Sequence, residues 1–224
     1  MPELFDAFVD QYQAWFQTPL GRVILELEQD LVLDMLAPRP GERILDAGCG
    51  TGIFTAALLA AGAAVVGLDL SGPMLARARA DLAGAALHPL RGDRTRLPLA
   101  DAVFDKVLSV TALEFIADGA AAMRELFRVT RPGGRVVVAT LNSLSPWAER
   151  RRQSGRAGHA LFRDAHFRSP AELAALAPLP GRLATAIHFA KDCDPAPAMI
   201  IETQGRARGL ETGAFLVGCW DKPA

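Results

Sequence analysis

The chain reads as an α/β protein, a three-layer α/β/α sandwich around a mostly parallel sheet, on three observations. Between Arg43 and Leu141, short apolar strand-like runs alternate with helix-compatible segments. The first run ends in Asp46 and passes into Gly48-Cys49-Gly50-Thr51-Gly52, a tight loop opening on an apolar, helix-compatible segment. The second run, Ala64–Asp69, also ends in an acid. Repeated β-α crossovers require parallel strands with helices covering both faces of the sheet.

Taken in order, residues 1–37 read as two helices with Thr18-Pro19-Leu20-Gly21 between them. Ile24, Leu27, Leu31 and Met35 recur at helical spacing and are expected to face the core. Pro38-Arg39-Pro40-Gly41 stops the second helix. Strands are then expected at Arg43–Ala47, Ala64–Asp69, Ala86–Arg91, Asp105–Val110 and Gly134–Leu141, with helices at Thr51–Ala61, Gly72–Ala83 and Asp118–Val129. The chain changes character at Asn142. Residues 142–168 are polar and basic, holding Arg150, Arg151, Arg152, Arg156, Arg163 and Arg168. A short helix follows Pro170 and ends before Pro178. Two late strands are expected, Arg182–Phe189 and Ala214–Trp220, joined by a Pro/Gly-rich connection over residues 190–213.

Bulk properties narrow the field. At 224 residues the chain suits one domain with elaborations and can bury a sizeable core. A formal net charge of −1 argues against a wholesale nucleic-acid binder. Cys49, Cys193 and Cys219 form no metal or disulfide spacing, which fits a reducing cytoplasm. Met1–Asp6 carries acids and no basic region, unlike a secretory leader. No apolar run approaches the ~18–20 residues that span a bilayer.

The glycine loop carries the most chemistry. Glycine tolerates φ > 0 and lets the backbone approach a ligand, and the following helix start aims free N–H groups at it. The spacing is G-x-G-x-G. A dinucleotide fingerprint needs G-x-G-x-x-G, and Ile53 stands where its third glycine would fall. Asp69, 19 positions after Gly50, can accept hydrogen bonds from both hydroxyls of a ribose, or else cap the next helix, a task Ser71 could also perform. Asp93, in Gly92-Asp93-Arg94 after the third strand, can accept from an exocyclic amine, with Leu70 and Met74 sandwiching a flat ring. Gly-Asp is also a common turn.

The run Ile44-Leu45-Asp46-Ala47-Gly48-Cys49-Gly50-Thr51-Gly52, with Asp69, Asp93, Phe104–Val110 and Arg131-Pro132-Gly133-Gly134, resembles the class I S-adenosylmethionine-dependent methyltransferases over roughly residues 40–141. Within them it looks most like the group that includes ubiquinone/menaquinone-biosynthesis enzymes. The resemblance implies a Rossmann-like, seven-stranded sheet whose two late strands form an antiparallel edge hairpin. It implies that Gly48, Gly50 and Gly52, with Asp46 and Cys49 in the same loop, wrap the methionine part of S-adenosylmethionine. Asp69 would hold the ribose, Asp93 and Arg94 the adenine edge, and Leu70 and Met74 its faces. Residues around Val110 and Thr111 would lie near the sulfonium, and Tyr12 would face it from an N-terminal lid. By this reading one methyltransferase domain comprises a helical lid (1–37), a cofactor core (38–141), a substrate cap (142–168) and the C-terminal strands (169–224).

The acceptor is less legible. Ser109-Val110-Thr111-Ala112 lacks the [DNS]-P-P-[YF] motif of nucleobase-amine enzymes, and no Pro-Cys pair of cytosine C5 enzymes is present. No Asp/Asn set for a catechol-type magnesium site is evident. A small organic acceptor is expected, with methylation at carbon or oxygen; the arginines of 142–168, with His159 and His166, could bind an anionic acceptor or a membrane surface, or form a solvated charged helix. Glu114, His159 and His166 are the candidate bases, by position or residue type. The alternatives are a catalytically silent S-adenosylmethionine-binding subunit or sensor, and an NAD-dependent oxidoreductase, which the glycine spacing opposes.

Overall fold

The computed structural model describes residues 5–224; Met1–Leu4, part of the leader and lid readings, lie outside the described residues. Helices α1 (Val9–Gln17) and α2 (Pro19–Leu36) come first, then β1 (Arg43–Ala47), α3 (Ile53–Ala60), β2 (Ala64–Asp69) and α4 (Gly72–Asp81). Next are β3 (Leu87–Arg91), β4 (Phe104–Val110), a single 3-10 turn at Leu113–Phe115, α5 (Gly119–Val129) and β5 (Thr130–Leu141). The last part holds α6 (Pro146–Arg156), α7 (Ala160–Arg163), α8 (Pro170–Leu176), β6 (Arg182–Ala186), α9 (Pro195–Ala207) and β7 (Phe215–Asp221). The strands form one 7-stranded sheet in the order β3-β2-β1-β4-β5-β7-β6. β1 to β5 run parallel, and β7 pairs antiparallel with both β5 and β6.

Alternation along the strands divides the core into two layers. Ile44, Val65, Leu108 and Val137 pack on one face with Leu31 and Leu36 of α2 and Leu58 of α3. Their neighbours Leu45, Val66, Val107 and Val136 pack on the other with Met123 and Leu126 of α5 and Leu173 of α8. Because both faces are covered, the inner strands read as apolar runs rather than alternating ones.

Three readings of the sequence change. Thr18-Pro19-Leu20-Gly21 is the start of α2, with Pro19 in the first turn and the Thr18 hydroxyl accepting from Gly21 N at 3.0 Å. The late strand expected to reach Phe189 stops at Ala186, because Ile187 turns the chain at φ 66°. The connection 190–213 contains α9, a 13-residue helix. A buried network anchors it. Glu202 accepts from His188 N and Nδ1, both at 2.9 Å, and from Arg206 Nε at 2.6 Å, while Arg206 Nη2 donates to Leu27 O. Burial pushes the Glu202 carboxyl up, but Arg206 and His188 outweigh it and hold the group below its ordinary value.

Gly205 fits α9 against that histidine: a Cβ there would come within 2.7 Å of His188 Cβ. Alanine normally improves a helix interior by about 0.5–1 kcal/mol over glycine. At position 205 the sign reverses, and Gly205→Ala is expected to destabilise the protein by about 1–3 kcal/mol, the usual range for overpacking. A urea or thermal midpoint checks it; a raised midpoint would show that α9 does not pack on His188.

Candidate functional site

The loops after β1, β2, β3 and β4 open at the carboxyl edge of the sheet, around the point where the strand order reverses. They border a cavity of about 590 Å³, roofed by α1 and α6. Gly48, Gly50 and Gly52 all take positive φ, at 93°, 54° and 84°. A Cβ on Gly48 would meet the Arg94 guanidinium and lie 2.9 Å from Ala112 Cβ, so the loop passes where a side chain cannot. Gly48 N and Cys49 N both donate to Leu68 O, which ties the loop to the end of β2.

Asp69 fixes the same loop from the other side. Its Oδ2 accepts from Gly50 N at 3.0 Å and its Oδ1 from Ser71 N at 2.9 Å. Ser71, not Asp69, caps α4, accepting from Met74 N. Each Asp69 oxygen accepts one of these bonds and retains capacity for another, and Asp69 lines the cavity. Asp93 forms a turn with Thr95 through one oxygen, Oδ1, which accepts from Thr95 N and Oγ1 at 2.8 Å each. Asp46 is buried and accepts from Thr55 Oγ1 at 2.6 Å; burial pushes its carboxyl up to about 6 against the pull of that bond. Burial also pushes the Cys49 thiol well above its usual range, so it is an inert wall.

The cavity continues past Val110 and Thr111, and Thr111 holds φ 43°, an uncommon conformation for a β-branched residue. Glu114, on the 3-10 turn, is fully buried. Its Oε2 accepts from Thr140 Oγ1 at 3.1 Å, while Oε1 has no hydrogen-bond partner. Burial raises its pKa despite hydrogen bonds from its own backbone and Thr140 and the fields of Arg151 and Arg168. Glu28, from α2, lines the same space, and burial pushes it up to about 8, with Arg151 opposing and Glu114 adding to the rise. Tyr12 roofs this region edge-on to Phe16, and burial raises its phenol.

Of the residues singled out in the sequence, Asp46, the Gly48–Gly50 loop, Asp69, Leu70 and Met74 line one end of the cavity, together with Asp93 and Arg94. Tyr12, Val110, Glu114 and His159 line the rest. Gly52 faces elsewhere: a Cβ there would sit 2.8 Å from Leu82 and 3.3 Å from Ala78, so its role is the packing of α3 on α4. His166 does not line the cavity; it is exposed, and its backbone N donates to Glu114 O at 2.7 Å. Arg168 is spent on the carbonyls of Leu113 and His166. Glu28, Trp147 and Lys191 are cavity residues that the sequence reading passed over. Glu28 falls four positions after Ile24 and three before Leu31, on the side of the apolar stripe, but the acids Glu26, Asp30 and Asp34 around it mask that signal.

A mostly parallel sheet with a reversed β7, a glycine cradle after β1 and an acid after β2 form the arrangement that the resemblance to class I S-adenosylmethionine-dependent methyltransferases implies. Residues 45–138 match the family described as a methyltransferase domain. A demethylmenaquinone methyltransferase of Beutenbergia cavernae is 48% identical over 119 residues, 52% of this chain and 47% of that protein. A malonyl-[acyl-carrier protein] O-methyltransferase of Serratia marcescens is 44% identical over 110 residues, 49% of this chain and 42% of that protein. The chain thus spans about half the length of the curated relatives it matches. Over its whole length the fold is similar to a SAM-dependent methyltransferase from Thermotoga maritima, with a TM-score of 0.77, 24% identity and 98% of each chain covered. No helix of the described residues is long and apolar enough to cross a membrane.

Proposed function

We propose that the protein transfers a methyl group from S-adenosylmethionine to a carbon or oxygen of a small organic acceptor with an anionic end. The observation that carries this reading is one cavity with two differently built ends. The glycine cradle, Asp69 and Asp93 border one, and the buried Glu114 and half-buried Glu28 border the other. The first end fits the cofactor. The positive-φ loop leaves room for close backbone approach, Asp69 offers lone pairs to a ribose, Asp93 has an oxygen outside its turn, and Leu70 and Met74 supply apolar faces.

S-adenosylmethionine supplies a methyl group already activated by its sulfonium. The chain's own tasks are then to orient the acceptor, exclude water and take up a proton. Tyr12, Trp15 and Phe8 close the roof over the second end. In this reading Glu114 takes up the proton that the acceptor gives up, supported by its Oε1, which has no hydrogen-bond partner. His159, whose Nδ1 is also unpartnered, is stacked on Phe162 at 4.9 Å and serves as wall rather than base.

Calorimetry with S-adenosylhomocysteine and with NAD tests the cofactor assignment. Saturable binding of the first and none of the second is expected; binding of NAD alone would overturn the proposal. Turnover of labelled S-adenosylmethionine against a library of small organic acids then separates an enzyme from a silent binding subunit.

A further inference from the structure

Beside the acceptor end lies a second cavity of about 330 Å³, bordered by Trp147, Arg150, Arg151, Phe162 and Lys191, of which all but Arg150 also line the first. Three of these five residues are cations, two are aromatic, and none is an acid. Arg151 belongs to both chambers. Its guanidinium lies over the Trp147 ring, 5.3 Å from the centroid, and its Nη1 is buried without a hydrogen-bond partner. No ion pair joins it to Glu28 or Glu114 among the described residues, although both line the adjoining cavity.

A buried guanidinium nitrogen without an acceptor is costly unless something supplies one. Glu114 and Glu28 act on Arg151 through their fields, but neither forms a hydrogen bond or ion pair with it among the described residues. Arg150 meets only Asp192, at 3.5 Å on the exposed rim, and Lys191 lies over Trp15, 5.5 Å from the ring centroid. Lys191 is held below its ordinary value, first by partial burial and then by the fields of Arg151 and Arg150.

We propose that this side chamber binds the anionic oxygen group, a carboxylate or phosphate, of an acceptor with a flat aromatic or conjugated body. The anion sits against Arg151 with Arg150 and Lys191 around it. The body lies between Trp147 and Phe162, and the methylated atom reaches toward Thr111 and Glu114. A planar guanidinium suits either anion, because both present oxygens in pairs to its fork of donors. This inference rests on the methyltransferase reading for the direction of the acceptor, but the chamber's preference for anions can be measured without turnover.

The test titrates four probes of matched size into protein saturated with S-adenosylhomocysteine: 4-hydroxybenzoate, phenyl phosphate, 4-hydroxybenzamide and tyramine. One of the two anions is expected to bind about ten- to hundred-fold more tightly than the amide, the scale of one or two hydrogen bonds to a charged group. Whichever anion wins identifies the group as carboxylate or phosphate. Arg151→Met should erase the preference, and Arg150→Gln should weaken it while leaving S-adenosylhomocysteine affinity within about twofold, less than the effect of one hydrogen bond. Equal affinity for amide and anions overturns the proposal, as does tightest binding of tyramine, which would assign the site to an amine held by Glu28 and Glu114. Absence of saturable binding by either anion also overturns it. If S-adenosylhomocysteine itself fails to bind, the cofactor reading falls separately; the same titrations on the free protein still decide the chamber.

Discussion

Glu114→Gln is expected to lower the rate of labelled methyl transfer to the enzyme's acceptor by about 10²–10⁴-fold, the usual contribution of a positioned base. S-adenosylhomocysteine affinity should stay nearly unchanged. The substitution keeps shape and polarity: Thr140 Oγ1, which donates to Oε2 at 3.1 Å, can bond either end of the new amide. What is lost is a group that accepts a proton. The pH dependence follows from burial. In the proposed role Glu114 must be ionised to act, and burial raises its pKa, so the wild-type rate should climb with pH through a value above the ordinary glutamate range. Burial pushes the Glu28 carboxyl up to about 8, and the nearby charge of Glu114 adds to the rise against the pull of Arg151. Removing that charge favours the ionised form of Glu28, so carboxyl NMR should show Glu28 titrating lower in Glu114→Gln. Full activity of Glu114→Gln together with an inactive His159→Gln would transfer the base role to His159.

The legible and illegible parts of the site differ for physical reasons. The cofactor end is built from backbone geometry and strand-end acids, and both leave local marks: glycines where φ is positive, an acid closing an apolar run. Strands Arg43–Ala47 and Ala64–Asp69 were readable to the residue because turn chemistry punctuates them. The acceptor end is assembled from side chains whose direction depends on tertiary packing. Glu28 sits on a helix with Glu26, Asp30 and Asp34, and an acid in such company reads as solvated. The arginines of residues 142–168 show the same limit. Successive helical residues point about 100° apart, so Arg150, Arg151 and Arg152 meet Asp192, the Trp147 ring and the Phe167 ring respectively. Composition announced a basic segment but not which member enters the cavity. Helix α9 was hidden by Pro195 and Pro197, which a first turn tolerates because its N–H groups have no intrahelical partner. Gly205 completed the disguise, since its smallness serves the contact with His188.

Asp69→Ala is expected to weaken S-adenosylhomocysteine binding by about 10²–10⁴-fold, measured by calorimetry. The estimate takes two ribose hydroxyl bonds to a charged acceptor at about 1.5–3 kcal/mol each, converted at 1.4 kcal/mol per tenfold. The fold should survive. Helix α4 keeps its Ser71 cap, and the glycine loop keeps its bonds from Gly48 N and Cys49 N to Leu68 O. Gly50 N and Ser71 N lose their carboxylate partners, but Gly50 and Asp69 border the cavity, where water can replace them. Asp69→Asn separates the two tasks of the side chain. It retains one accepting oxygen, so it should hold part of the affinity, and a value close to that of Asp69→Ala would show that charge rather than geometry dominates. Unchanged affinity in a well-folded Asp69→Ala would remove Asp69 from the ribose, leaving it only the local work of tying Gly50 to β2. A loss accompanied by a lower unfolding midpoint would require the same comparison at a temperature where both proteins are folded, because binding and folding are then linked. Affinity lost at full foldedness is the outcome that assigns the carboxylate to the cofactor.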